Sequence, residues 1–358
     1  MAKMNISAAF TPAFQHVARV LFRPFALKKW LGLGFVSMLA YQSGGPNFNF
    51  PSSWGDSGGD EPSFPEVWAW MTDHALLVIA ICAALVALML LIGWLYSVMT
   101  FVYTDQIVRS SGAVREPFAR LKRLGNSYFL FTLAFAAIAM LALAVLVGLP
   151  LVWVFAIVPH ATAGAKVIAV VIAIVLGIPI LIAASVIGLF SADFVIPAMY
   201  ARGVRVMDGW RIVLPVLRAN IGQSVLYVLM SIALGIAMTI AMLIVILITG
   251  LAMLLPVAIL ALLGYAIYLA FHVGWTTPVA AVVGVLAVAV GLFWSYLIMC
   301  AMQPVLVFRR SFALIVIGQA EPSLITVPIG PAQAFPTQTV ELPPTPPEPE
   351  SGESPGQE

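Results

Sequence analysis

Charged residues are scarce in this sequence, and their scarcity excludes a soluble globular protein. Asp, Glu, Lys and Arg make up 9% of the 358 residues, whereas 62% of the residues are hydrophobic. A soluble domain is about a quarter charged and about half apolar. Because so few polar side chains cannot cover a folded chain in water, we expect lipid to be the solvent for most of its surface.

Cysteine and catalytic motifs are also lacking. The two cysteines, Cys82 and Cys300, lie inside apolar runs and are interpreted as small packing residues rather than as a disulfide or metal pair. The sequence contains no phosphate-binding glycine loop with Lys, no nucleophile elbow and no helical His pair with Glu. We therefore predict a protein that is not an enzyme and needs no cofactor.

Long apolar runs are what the sequence has instead, and they predict an all-α membrane protein with about six transmembrane helices. The predicted spans are 30–43, 75–102, 128–158, 167–191, 224–249 and 277–304. The further apolar run 251–270 is re-entrant, interfacial, an extension of the preceding span or an extra, seventh span. These six spans hold no ionisable side chain deep inside them, which argues against a transporter that uses membrane-embedded acids.

The two ends of the chain differ from this middle part. Residues 1–29 carry five Lys or Arg and no acid, and the spacing of Phe10, Phe14, Val17 and Leu21 predicts an amphipathic helix. Either this helix lies in the membrane surface, with His16 and its basic side toward the headgroups, or it packs on the rest of the protein. The polytopic domain then occupies 30–322. The tail 323–358 is rich in Pro and Glu and is predicted to be disordered.

Two basic, aromatic connectors separate the spans and resemble each other. The first covers 112–126 and the second covers 203–220, and each ends on an Asn that we interpret as the cap of the next span. Together with the amino-terminal segment they predict three repeated units, about 5–105, 106–201 and 202–318. Each unit is a basic interfacial helix followed by a helical hairpin.

The positions of the cations predict the orientation in the membrane. If the amino terminus, both connectors and Arg309-Arg310 share one side, that side holds sixteen of the seventeen Lys and Arg residues, and only Lys166 lies opposite. Since cytoplasmic loops are enriched in Lys and Arg, we expect this side, with both chain ends, to be cytoplasmic.

Short motifs at the connectors give the sequence a family resemblance. They include Arg23-Pro24-Phe25, Arg115-Glu116-Pro117-Phe118, Asp193-Phe194-Val195-Ile196-Pro197 and Phe308-Arg309-Arg310. Over most of 8–322 the chain resembles a family of uncharacterised bacterial integral membrane proteins. These are distantly similar to the membrane domain fused to some glycerophosphoryl diester phosphodiesterases. The resemblance implies a multi-pass protein of the bacterial inner membrane, without the phosphodiesterase activity, because the catalytic barrel is absent.

The connectors carry the functional prediction. A cationic cytoplasmic collar would attract anionic lipid headgroups, although the same charges could serve only to orient the protein. The candidate headgroup contacts are Arg19, Arg23, Lys28, Lys29, Arg115, Arg120, Lys122, Arg123, Arg205, Arg211 and Arg218. A membrane-protein partner or a second copy of the chain is the alternative to lipid, and no nucleic acid is expected.

Two other functional interpretations have weaker support in the sequence. A permease or channel for a lipidic or uncharged solute could use helices broken at Pro150, Gly177–Pro179 and Pro256. His74, His160 and His272 all map to the outer side, but their spacing does not favour a metal site.

Overall fold

The structure is a computed structural model that describes residues 4–41, 64–158, 162–271 and 277–324. Within these ranges the regular elements are all helical, with no strand. Residues 42–63, which follow the predicted first span, lie outside the described residues, as do His160, His272 and almost all of the predicted tail 323–358.

The helices follow one another in three groups. The first group comprises α1 (Phe10–Phe22), α2 (Leu27–Tyr41), α3 (Phe64–Asp73) and α4 (Ala75–Arg109). The second comprises α5 (Arg115–Leu143), α6 (Leu149–Val152), α7 (Ala163–Phe190) and α8 (Ile196–Arg202), with π-helical turns at Ala144–Gly148, Trp153–Ile157 and Ser191–Val195. The third comprises α9 (Val206–Ala219), α10 (Ile221–Phe271), α11 (Thr277–Ala301) and α12 (Gln303–Ala320).

Five helical segments of the described chain are long and apolar enough to cross a membrane. They are Ala75–Arg109, Arg115–Phe155, Ala163–Arg202, Ile221–Ala266 and Val282–Ala301. The predicted first span, 30–43, corresponds to α2, whose 15 residues rise only about 22 Å against roughly 30 Å of hydrocarbon. The described residues therefore suggest a membrane location, while six or seven crossings stay a prediction.

The apolar run 251–270 is the continuation of the span before it. Helix α10 extends without a break over 51 residues, with Pro256 inside it. Helix α7 likewise contains Pro179. A 51-residue helix is about 76 Å long, so at the usual tilt of about 20° only part of α10 can lie in hydrocarbon.

The centre of the protein is α12, a helix that the sequence did not predict. Nearly all of its side chains are buried, including the hydrophobic stretch Phe312–Ile317 and the charged Arg310, which is only 4% exposed. Arg309 and Arg310, which the sequence analysis only assigned to the cytoplasmic side, thus lie in a largely buried helix. Apolar residues of α1, α2, α4, α8 and α9 contribute to the same core.

Helix α1 packs on α12 rather than standing apart from the protein. The Phe10 ring lies 4.9 Å from the Phe312 ring, and the Phe14 ring lies 4.5 Å from the Phe308 ring, measured between centroids. His16, which was expected on the headgroup side, is 2% exposed, and its Nε2 donates to the carbonyl of Ile107 at 3.2 Å. The helix is amphipathic as predicted, but its buried face includes His16.

The buried His16 should make the protein less stable in mildly acidic solution than at neutral pH. Burial lowers the pKa of His16 to about 4, and the charge of Arg19 adds to this, while the bond to the Ile107 carbonyl opposes it. The unfolded chain takes up the proton near pH 6.5, so stability present above that pH falls as the pH drops toward 4. From about pH 7 to pH 5, wild type should lose about 2 kcal/mol more than His16→Gln. Melting in detergent, followed by tryptophan fluorescence, measures this, and equal losses in both proteins would contradict it.

The backbones of α4 and α5 approach closely at Gly125. A Cβ at this position would lie 2.6 Å from the Val98 Cγ2 and 2.7 Å from the Val98 Cα, so it would collide with backbone. Only glycine allows this contact, which holds the first turns of α5 against α4.

Replacing Gly125 should therefore separate the two helices. We expect Gly125→Ala to destabilise the protein by on the order of 2 kcal/mol, because overpacking against backbone forces a helix shift. Gly222→Ala is the matched control, since nothing lies within 4 Å of its added methyl group and Ala is the better helix former. Melting temperatures of both variants measure the difference, and an unchanged Gly125→Ala melting temperature would refute the tight contact.

Candidate basic groove

A groove of about 820 Å³ lies between α5 and the start of α9. On α5 it is lined by Ala119 and then by residues that recur at helical spacing, first polar and then apolar. The polar part is Lys122, Arg123, Asn126 and Ser127, and the apolar part is Leu130, Phe131, Ala134, Phe135 and Ile138. Arg205, Val206 and Met207 of the second connector form the other side. We call this surface the basic groove.

The start of α9 is placed beside α5 by a tight turn and one hydrogen bond. Gly203, between α8 and α9, has a φ of 64°, a left-handed conformation that glycine adopts without strain. The backbone N–H of Val206, in the first turn of α9, donates to the Ser127 Oγ at 3.2 Å. This bond satisfies one N–H at the helix start and keeps Arg205 next to the polar half of the groove.

Trp94 of α4 contacts two side chains in the polar half of the groove. Its indole Nε1 donates to the Asn126 Oδ1 at 2.7 Å, and the Lys122 Nζ lies 5.5 Å from the centroid of the ring. The first contact fixes the orientation of the Asn126 amide, and the second is a cation–π contact. Asn126 thus lies inside α5, so its prediction as a helix cap was wrong: the helix begins eleven residues earlier, at Arg115.

These bonds leave the groove with donors and cations. The Asn126 oxygen accepts from Trp94, and the Ser127 oxygen accepts from Val206. The Asn126 Nδ2 and the Ser127 hydroxyl hydrogen can then donate into the groove. Lys122, Arg123 and Arg205 are all exposed, and no described lining residue is acidic. Such a surface is chemically suited to an anion.

The remaining candidate contacts fall into other environments. Arg120 donates to Asp105, and Arg211 is paired with Asp208 at 3.0 Å. Arg218 lines a second, smaller groove of about 400 Å³ between α7 and α10. Arg19, Arg23, Lys28, Lys29 and Arg115 belong to α1, α2, the turn between them and the first residue of α5. Whether any of the eleven residues binds lipid stays a prediction.

A buried carboxylate anchors α5 behind the groove. Asp105 of α4 is 1% exposed, and its Oδ1 accepts from Arg120 of α5, from the Tyr200 hydroxyl of α8 at 2.6 Å and from the Arg109 Nε at 3.0 Å. One acid therefore connects three helices. The sequence interpretation missed it because the predicted span ended at 102, whereas α4 continues to Arg109.

Two more buried charges extend this network. Arg310 donates to the Thr104 hydroxyl at 2.7 Å and to the Ala192 carbonyl at 2.6 Å. Asp193, 4% exposed, accepts from the Tyr227 hydroxyl at 3.1 Å and lies 3.8 Å from the Arg309 guanidinium. Asp105 and Asp193 lie beyond the predicted spans 75–102 and 167–191, near the ends of the longer candidate helices, so they do not contradict the expectation of no ionisable side chain deep inside a span.

Of the three histidines that the sequence analysis assigned to the outer side, His74 is the one among the described residues. Its Nδ1 lies 3.0 Å from the Trp70 carbonyl, and its ring stacks on Trp70. Among the described residues no three His, Cys, Asp or Glu side chains form a metal-binding group. Cys82 and Cys300 are both free thiols.

Helices of this length and composition, gathered around a buried core, are compatible with an integral membrane protein. A family model covers residues 4–327, and the chain belongs to that family, a family of unknown function (DUF7544). No curated protein and no solved structure matches the chain. The similarity to the membrane domain of glycerophosphoryl diester phosphodiesterases therefore finds no support in these comparisons.

Replacing the buried acid Asp105 should weaken the packing of α5 against α4. We expect Asp105→Asn to destabilise the protein by on the order of 2 kcal/mol, because Arg109, Arg120 and Tyr200 lose a charged acceptor. The expected loss is modest because both guanidiniums are about half exposed, so water screens their attraction to Asp105. Asp208→Asn, which breaks a solvent-exposed pair, is the control and should change stability by less than about 0.5 kcal/mol. Thermal melting in detergent distinguishes the two, and equal melting temperatures would contradict the anchoring role.

Proposed function

We propose that this is a non-enzymatic integral membrane protein that binds anionic phospholipids in the basic groove. The observation that carries the proposal is the order of side chains along one face of α5. Two turns of cations and hydrogen-bond donors are followed by three turns of apolar side chains. A phospholipid has the same order, a phosphate followed by acyl chains.

The residues near the polar half of the groove support a location of this half at the membrane interface, where lipid headgroups lie. Trp94 and Tyr96 lie at the end of the lipid-exposed part of α4, and aromatic side chains with polar tips favour the membrane interface. From His74 to Trp94 the helix rises about 30 Å, which matches the hydrocarbon thickness. Trp68 and Trp70 of α3, both more than half exposed, would mark the opposite interface.

The proposal includes an orientation and a location. We infer a multi-pass protein of a bacterial inner membrane, with the groove, the amino terminus and the tail on the cytoplasmic side, because of the distribution of Lys and Arg. The three-unit repeat is part of the same proposal. In its support, Arg310 of the third unit contacts Thr104 and Ala192, which directly precede Asp105 and Asp193 of the first two units.

The groove also refines the earlier interpretation of a uniform cationic collar. Three of the eleven candidate cations line one groove, whereas Arg120 and Arg211 are already paired with acids. The permease alternative loses its structural basis at two sites, since α7 and α10 continue through Pro179 and Pro256. We therefore favour lipid binding over solute passage.

Neutralising the three groove cations should strongly weaken lipid binding. We expect the triple variant K122Q/R123Q/R205Q to bind phosphatidylglycerol roughly 100-fold more weakly, at about 1 kcal/mol per cation. Native mass spectrometry of the full chain in a mild detergent, titrated with the lipid, measures the affinity.

The matched control is R23Q/K28Q/R115Q, which removes the same charge from exposed cations outside the groove. It should weaken binding less than about threefold, because screened charges act only over about a Debye length. Equal losses in both triple variants would favour a general collar over the groove. Unchanged binding in both would refute the proposal.

A further inference from the structure

We propose that the basic groove selects lipids whose headgroup is a bare phosphomonoester over lipids with a phosphodiester headgroup. This inference rests on the proposed function and adds the chemical class of the ligand. It follows from three features of the lining: its charge, its small number of side-chain acceptors and its contrast with the second groove.

The charge of the lining exceeds what a phosphodiester can neutralise. Lys122, Arg123 and Arg205 bring three positive charges, and no described lining residue brings a negative one. A phosphodiester carries one negative charge. A phosphomonoester carries about 1.5 to 2 negative charges at neutral pH and has three strong acceptor oxygens. The monoester therefore compensates the cations more fully.

The hydrogen-bonding groups of the lining also favour a phosphomonoester over a phosphodiester. The two neutral polar side chains, Asn126 and Ser127, already use their oxygens to accept from Trp94 and Val206. Each oxygen has thus used one of its two lone pairs, while the amide and hydroxyl hydrogens are still available to a ligand. Glycerol or ethanolamine headgroups bring hydroxyl or ammonium donors, for which the described lining offers as side-chain acceptors only these two oxygens, each of which already accepts one bond. A bare phosphate brings only acceptors when fully ionised, so it needs no acceptor from the lining.

The second groove provides an internal comparison. It holds a single cation, Arg218, above apolar residues such as Phe190 and Val225. Its one lining hydroxyl, that of Ser224, donates back to the carbonyls of Leu217 and Asn220. The accumulation of cations and available donors thus distinguishes the basic groove from the second groove, and Arg218 serves as a control position.

The test is a competition between lipids with identical acyl chains. Native mass spectrometry of the full chain would compare phosphatidic acid, the monoester, with phosphatidylglycerol, the diester. We expect phosphatidic acid to occupy the wild-type protein at a concentration at least tenfold lower. The preference should vanish in K122Q/R123Q/R205Q and persist in Arg218→Gln.

The outcomes separate the inference from the function on which it rests. If wild type binds both lipids equally, and the triple variant loses both, the preference is wrong while lipid binding in the groove stands. If the triple variant binds both lipids as wild type does, the groove is not the site and both proposals fail. A preference that Arg218→Gln also abolishes would contradict assignment to the basic groove.

Soluble competitors distinguish a lipid site from a phosphate site. Inorganic phosphate and glycerol 3-phosphate carry the same anion without acyl chains. We expect neither to displace phosphatidic acid at a hundredfold excess, because the apolar half of the groove contributes to binding. Displacement at equal concentration would overturn the lipid assignment and indicate a site for a soluble phosphate monoester.

Discussion

The buried carboxylate of Asp105 is the interaction on which the arrangement of the helices depends. An ionised acid in an apolar core is unfavourable unless charged donors surround it, and here the donors come from α4, α5 and α8. Because Arg120 must reach Asp105, the first turns of α5 lie against α4, where Gly125 permits the close contact with Val98. Long hydrophobic helices can pack against one another in many registers, and the hydrogen bonds to Asp105 select one of them.

The basic groove is a consequence of that register. Arg120 reaches inward to Asp105, whereas Lys122 and Arg123 line the groove beside the start of α9. Trp94 and Val206 then occupy the oxygens of Asn126 and Ser127, which leaves donors facing the groove. The interactions that stabilise the core and those that prepare the groove for an anion thus involve adjacent residues of one helix. A change in the core would therefore also alter the arrangement of the side chains that line the groove.

Much of the architecture was predictable because hydrophobic periodicity and length are local properties. The helical class and the apolar segments of α4, α5, α7, α10 and α11 follow from composition alone. Lys122, Arg123 and Arg205 were also among the expected cations, since their residue type and position near apolar runs are visible in the sequence. The prediction that α5 starts at Asn126 was wrong, because a basic stretch looks like a connector even when its polar side chains continue a helix.

What the sequence by itself determined is the helical, apolar character of this protein: so little charge and so many apolar residues suggest lipid as its solvent, and the clustering of cations predicts an orientation. What only the tertiary structure decided is which charges pair and which face outward. Arg310 contacts residues 118 and 206 positions away, and Asp105 contacts Tyr200 across 95 positions. Because such pairings depend on how separate helices pack, local pattern could not distinguish the anchoring Arg120 from Lys122 and Arg123, which are available to a ligand.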